Sequence, residues 1–120
     1  VICPARSLER YRIPREWRAP LAEGRLLILS FFRNEPRVTA ELAEARNCYV
    51  AALAAALLVI HAEPGGRTEA LCRMALGWGT PVYTLAHEAN AHLAALGART
   101  IGIADVASMA AELARSCQET

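Results

Sequence analysis

Short wholly apolar runs alternate along this chain with longer stretches in which apolar residues return every three or four positions. Leu26-Leu27-Ile28-Leu29, bounded by Gly24 and Ser30, has the continuity of a buried parallel strand. Leu57 to His61 and Pro81 to Leu85 repeat that signature, Arg99 to Ile103 supplies a last short strand, and Val1-Ile2-Cys3 reads as the end of another. Helices fill the intervals. Pro14-Arg15-Glu16-Trp17 opens a short one, with the proline early, where its missing N–H costs nothing. Thr39 is placed to N-cap a helix running to about Ala55, although Leu42, not a capping-box acid, stands three residues on. Arg67 to Leu76 follows a glycine loop and stops near Gly77 and Gly79. Ala89 to Leu96 is closed by Gly97, and Asp105 starts a final helix to Arg115. Strands alternating with helices at short intervals predict an α/β fold with a mostly parallel sheet.

The length of 120 residues suits one domain over residues 1–120, and 54% hydrophobic residues make it globular. The longest apolar run, Val50 to Ile60, is too short to span a bilayer, and no signal peptide precedes it, so no membrane partner is expected. Cys3, Cys48, Cys72 and Cys117 form no C-x-x-C pair, which argues against zinc and thioredoxin-type chemistry. They read as reduced thiols of a cytoplasmic protein. The histidines His61, His87 and His92 are scattered, and neither a metal nor a cofactor is expected. No serine occupies a G-x-S-x-G elbow, and no positioned base accompanies Cys48 or Cys72. A start on buried apolar residues, without methionine, gives the expectation of a fragment or of half of a larger domain.

Charge changes the picture through its kind and position. There are thirteen arginines and no lysine, and nine of them, from Arg6 to Arg46, fall in the first 46 residues. A GC-rich genome or a solvated basic face accounts for this; so does an anionic partner, because arginine suits planar bidentate phosphate contacts. Arg46 is the sharpest case. Leu42, Arg46, Tyr49 and Leu53 follow spacings of four, three and four and share one helix face. A charge on such a stripe pairs with an acid such as Glu63 or Glu69, reaches water, or meets a ligand phosphate, with Asn47 beside it. The second candidate is Pro64-Gly65-Gly66-Arg67-Thr68, lying between a buried strand and a helix. Adjacent glycines there leave backbone N–H groups to approach an anion, Arg67 adds charge and Thr68 a hydroxyl. The loop fits neither G-x-G-x-x-G nor a Walker A motif. Arg33, Arg37, Tyr49 and His87 are additional candidates, and Phe32 with Tyr49 would supply stacking.

From Val1 to Ala98 the chain resembles the DprA/Smf DNA-processing family, in the later part of its Rossmann-like domain. The resemblance runs through Ser7-Leu8-Glu9-Arg10-Tyr11-Arg12-Ile13-Pro14, where the family has a Gly-Leu-Asp-like turn and Tyr-Pro, and Leu27-Ile28-Leu29-Ser30-Phe31, where it has Leu-Leu-Ser-Glu. It continues through Arg46-Asn47-Cys48-Tyr49-Val50-Ala51-Ala52-Leu53 for Arg-Asn-Arg and its helix, and Leu58-Val59-Ile60-His61-Ala62 for the next strand. Gly65-Gly66-Arg67-Thr68 stands for the Ser-Gly-Ser/Thr loop, Gly79 to Leu85 for Gly-Arg-x-Val-Phe-x-Val-Pro, and Gly97-Ala98 closes the last motif. The chain departs from the pattern at Cys48 for the second arginine, at His61 for the strand glutamate, and at Ala91 for an asparagine, with Asn90 one place off. The family's Gly-Ser-Arg loop lies outside the chain.

The resemblance implies a Rossmann-like three-layer αβα fold, incomplete at its N-terminal side. It also implies binding of single-stranded DNA and its delivery to RecA in transformation or recombination, with no chemical step. Expected phosphate contacts are Arg46, Asn47, Gly65, Gly66, Arg67 and Thr68. A homodimer is a further expectation, with the alanine-rich helix Ala104 to Arg115 as its surface. An alternative is a nucleotide-binding or nucleoside-monophosphate-cleaving enzyme. Its relatives carry Pro-Gly-Gly-x-Gly-Thr-x-x-Glu, and Pro64 to Glu69 is a shorter version, with Glu69 as candidate acid or base. The acid here follows Thr68 at once, which turns it by about 200° around the helix axis. A third reading is a degenerate relative acting through protein contacts alone.

Overall fold

The computed structural model describes residues 1–119. Their contacts form two compact units, Val1–Val50 and the residues from Ala51 onward.

In the first unit, Ile2 and Ile28 make a single parallel bridge, with the Ile2 N–H donating to the Leu27 carbonyl at 2.8 Å and the Leu29 N–H to Ile2 at 2.9 Å. The apolar run Leu26–Leu29 therefore contributes a bridge and not the expected strand. Its partner is short: Pro4 follows two residues after Ile2, and proline has no N–H with which to continue a ladder. A 3-10 turn at Arg15–Trp17 leads into α1 (Arg18–Ala22). Helix α2 (Ala40–Leu53) begins where the sequence places it, with Thr39 Oγ1 accepting the Leu42 N–H at 3.1 Å. Its expected buried stripe is corrected. Leu42 and Arg46 are half-buried, Tyr49 and Leu53 are exposed, and the one buried position in the helix is Ala51. The small side chain, which lets neighbours approach closely, marks the buried side.

The second unit is an α/β unit. Strands β1 (Leu57–Val59), β2 (Val82–Leu85) and β3 (Arg99–Ile101) form a parallel sheet in the order β1-β2-β3. Helix α3 (Arg67–Gly77) connects the first pair and α4 (Ala91–Leu96) the second, and α5 (Val106–Gln118) follows β3. Leu57 pairs with Val82 and Val59 with Thr84, which places these four side chains on one face of the pleat. That face meets Cys72, Ala75 and Leu76 of α3 and Leu93 and Leu96 of α4 in the core. Gly97 ends α4 with a φ of +118°, a conformation that residues with a Cβ avoid. β1 and β3 are shorter than the apolar pattern predicts. The Asn90 amide takes the carbonyls of Ile60 and Leu85, just past β1 and at the end of β2. Gly102 leaves β3 to begin a 3-10 turn. No helix among the described residues is long and apolar enough to cross a membrane.

Candidate nucleic-acid interface

The glycine loop has a specific geometry. Gly65 takes a φ of +74°, in the left-handed region where glycine carries no Cβ penalty. Gly66 is extended and caps α3, and a Cβ added to it would lie 3.1 Å from the Glu63 carbonyl oxygen. The expectation that both glycines offer free N–H groups is corrected. The Gly65 N–H donates to Glu69 Oε2 at 3.1 Å, and the Gly66 N–H donates to the Glu63 carbonyl at 3.0 Å. Glu69, 8% exposed, has turned back from the first turn of α3 into its own loop. Its other oxygen accepts from Arg73 at 3.1 Å, and His92 Nε2 lies 3.5 Å from Oε2. The Gly65 N–H, and after it Arg73 and His92, hold the Glu69 pKa below the ordinary carboxylate value against the opposing effect of burial. The carboxylate that a nucleotide-cleaving enzyme would use is thus engaged within the loop. The side chains of Arg67 and Thr68 are exposed beside it.

Arg46 belongs to the first unit. Its Nη1 donates to the Cys3 carbonyl at 2.8 Å and its Nε to Asn47 Oδ1 at 2.7 Å. Two of the five guanidinium N–H groups are committed in this way. The acids considered as partners have others: Glu69 faces Arg73, and Glu63 faces His61. Arg46 thereby ties α2 to the carboxyl side of the Ile2 bridge.

One helical turn beyond Arg46, Tyr49 is 49% exposed and stacks on Phe31, with ring centroids 5.1 Å apart. Phe32 meets the same ring edge-on at 6.3 Å. Phe31 was not among the candidates, although Phe31-Phe32 is a conspicuous pair in a chain with 6% aromatic residues. A hollow of about 370 Å³ beside them is lined by Leu8, Glu9, Ser30, Phe31, Phe32 and Arg33. Ser7 hydroxyl donation, with the N–H groups of Glu9 and Asn34 and the nearby Arg33 charge, lowers the Glu9 pKa. Arg33, Arg37, Arg10, Arg12, Arg15 and Arg18 are exposed in this unit.

At the carboxyl ends of β1 and β2 lies a second cavity, of about 560 Å³, lined by Ile60, His61, Leu85, Ala86, His87, Ala89, Asn90 and Ile103. His87 is placed there as the sequence indicates, and its Nδ1 accepts the Ala89 N–H at 3.1 Å. Asn90, 3% exposed, is the residue whose role sequence reasoning missed. The only signal for it was the displaced asparagine of the last motif. Among the described residues no group of three or more His, Cys, Asp or Glu side chains is arranged to hold a metal ion.

Compared with family models, curated proteins and solved structures, the chain matches none of them.

Proposed function

We propose that this chain is a Rossmann-like, three-layer αβα domain that binds single-stranded DNA through its first unit, without a chemical step. In line with the DprA/Smf resemblance, the bound strand would pass to RecA. The observation that carries the reading is the exposed Tyr49 ring, braced by Phe31 and Phe32, with Arg33 lining the hollow beside those two rings and Arg46 one helical turn before Tyr49. Single strands are held by aromatic faces that take successive bases and by cations that follow the phosphates, and here both occur within one unit. The first fifty residues hold nine arginines against six glutamates, so this unit is positive while the remainder is negative.

The test is fluorescence anisotropy with a labelled thymidine oligonucleotide at low and physiological salt. Binding should weaken as salt rises. Tyr49→Ala should weaken it about tenfold, the loss expected for one stacked base. Salt-insensitive binding, or an unchanged affinity in Tyr49→Ala, overturns the proposal.

A further inference from the structure

The cavity at the carboxyl ends of β1 and β2 plays no part in the function proposed above, and its chemistry differs from that of the first unit. Among the described residues none that lines it is an arginine, a lysine or an acid. A phosphate entering it would meet no guanidinium or lysine ammonium. Its walls are Ile60, Leu85, Ala86, Ala89 and Ile103, and Ile103 is 80% exposed at the mouth. The volume of about 560 Å³ falls in the range of small-molecule sites. Open parallel sheets place ligands at this edge.

The polar groups at the cavity have assigned roles. Asn90 Nδ2 donates to the carbonyls of Ile60 at 3.0 Å and Leu85 at 3.2 Å, which orients the amide. Its Oδ1 then faces His61 Nδ1 at 3.3 Å. A carbonyl oxygen only accepts, so His61 Nδ1 carries a proton. Its Nε2 faces the Glu63 carboxylate oxygen Oε1 at 3.4 Å, so both nitrogens of this ring stand opposite acceptors. His87 is held differently. Its Nδ1 accepts the Ala89 N–H, so the neutral ring carries its proton on Nε2, as a donor. The His87 Nε2–H is thus the imidazole donor left at the border of an apolar cavity.

We propose that this cavity binds a nucleobase. A nucleobase is uncharged and planar, presents on its edge ring nitrogens and carbonyl oxygens that accept an imidazole N–H, and has faces suited to apolar walls. The base enters either as a free nucleoside or as one base of a strand. The proposal does not depend on the DNA-binding role of Tyr49.

The test uses the whole chain, with the histidine ring resonances followed by NMR during titration with adenosine, cytidine and uridine, and separately with a thymidine oligonucleotide and with inorganic phosphate. Saturable shifts of both His61 and His87 with at least one nucleoside support a free-nucleoside site. Shifts with the oligonucleotide alone assign the cavity to a base of a strand and also support the proposal. His87→Phe removes the donor and should weaken binding about fivefold, the worth of one hydrogen bond. Ile103→Glu, at an exposed position, should weaken it as well by charging the mouth. The proposal is overturned if no nucleoside and no oligonucleotide moves these resonances up to the solubility limit, or if phosphate alone moves them. It is equally overturned if both variants, folded by circular dichroism, bind like the parent. Should His87→Phe fail to fold, Ile103→Glu and the titrations of the parent chain decide.

Discussion

The Glu69 carboxylate accepts the Gly65 N–H at 3.1 Å across the turn that opens α3. The loop therefore carries an anion of its own, with Arg73 and His92 beside it. Because these groups lower the Glu69 pKa in the folded chain, the charged form stabilises the fold at pH values above the ordinary carboxylate range. That contribution disappears as pH falls through the lowered folded-state value. Thermal unfolding followed from about pH 7 to about pH 3 should show a falling Tm. Glu69→Gln should have a lower Tm near neutrality and a shallower fall on acidification. An equally steep fall in the variant would remove Glu69 from this account.

Asn90 closes the ends of two strands with one amide. Asn90→Ala leaves the carbonyls of Ile60 and Leu85 without that donor, and the side chain it removes is buried. The expected cost is about 2 kcal/mol, read from urea unfolding. Asn90→Asp, similar in size but without the NH₂, should lose a comparable amount near neutral pH. A variant as stable as the parent would show that the clamp is not needed.

The two loop glycines should respond to alanine for different reasons. At Gly65 an added Cβ meets nothing within 4 Å, so the cost is that of a left-handed backbone, about 1 kcal/mol. Gly65→Asn, a residue that tolerates this conformation, should recover part of it. At Gly66 the backbone is ordinary, but the Cβ would crowd the Glu63 carbonyl. Gly66→Asn should therefore recover nothing, and calorimetry of the four variants separates the two mechanisms.

Arg46 holds the Cys3 carbonyl, so Arg46→Ala should destabilise the chain by about 1 kcal/mol whatever it does to DNA. Arg46→Lys keeps the charge but loses the forked geometry that reaches Cys3 and Asn47 together. If the proposed role in DNA binding is a matter of charge, the lysine variant should be less stable yet bind nearly as tightly as the parent. Paired unfolding and anisotropy measurements check this.

Arg33 borders the aromatic cluster and is exposed, so its removal should act on affinity with little change in stability. One phosphate contact fewer lowers the slope of log affinity against log salt by about 0.7 for a single strand. A slope equal to that of the parent would place Arg33 outside the interface.

The helices and the order of elements were legible in the sequence because their signals are local. Thr39 caps α2 as its hydroxyl predicts, Gly97 ends α4, and α3 starts at Arg67. The three strands of the second unit were legible in place but not in length, and the strand expected at Leu26–Leu29 is a single bridge. β1 stops at Val59, and an amide thirty residues away takes the next carbonyl, a bond that leaves no trace in a hydrophobic pattern. The glycine loop was found, but the identity of its anion was not. Free N–H groups and N–H groups already held by Glu69 and the Glu63 carbonyl are written with the same residues. Arg46 was correctly marked as a charge in need of a partner, yet the partner is a backbone carbonyl, which no reading of side-chain types would have singled out.

The Asn90 clamp has a spectroscopic consequence. The amide is oriented by two strand-end carbonyls, and its oxygen in turn accepts the Nδ1 proton of His61. Strand alignment and the Nδ1 proton of His61 are therefore linked through one amide. If β1 and β2 fray, the amide is released and the Nδ1 proton loses its acceptor. The ¹⁵N shifts of one ring would then report local opening of the sheet, without a probe attached to any strand.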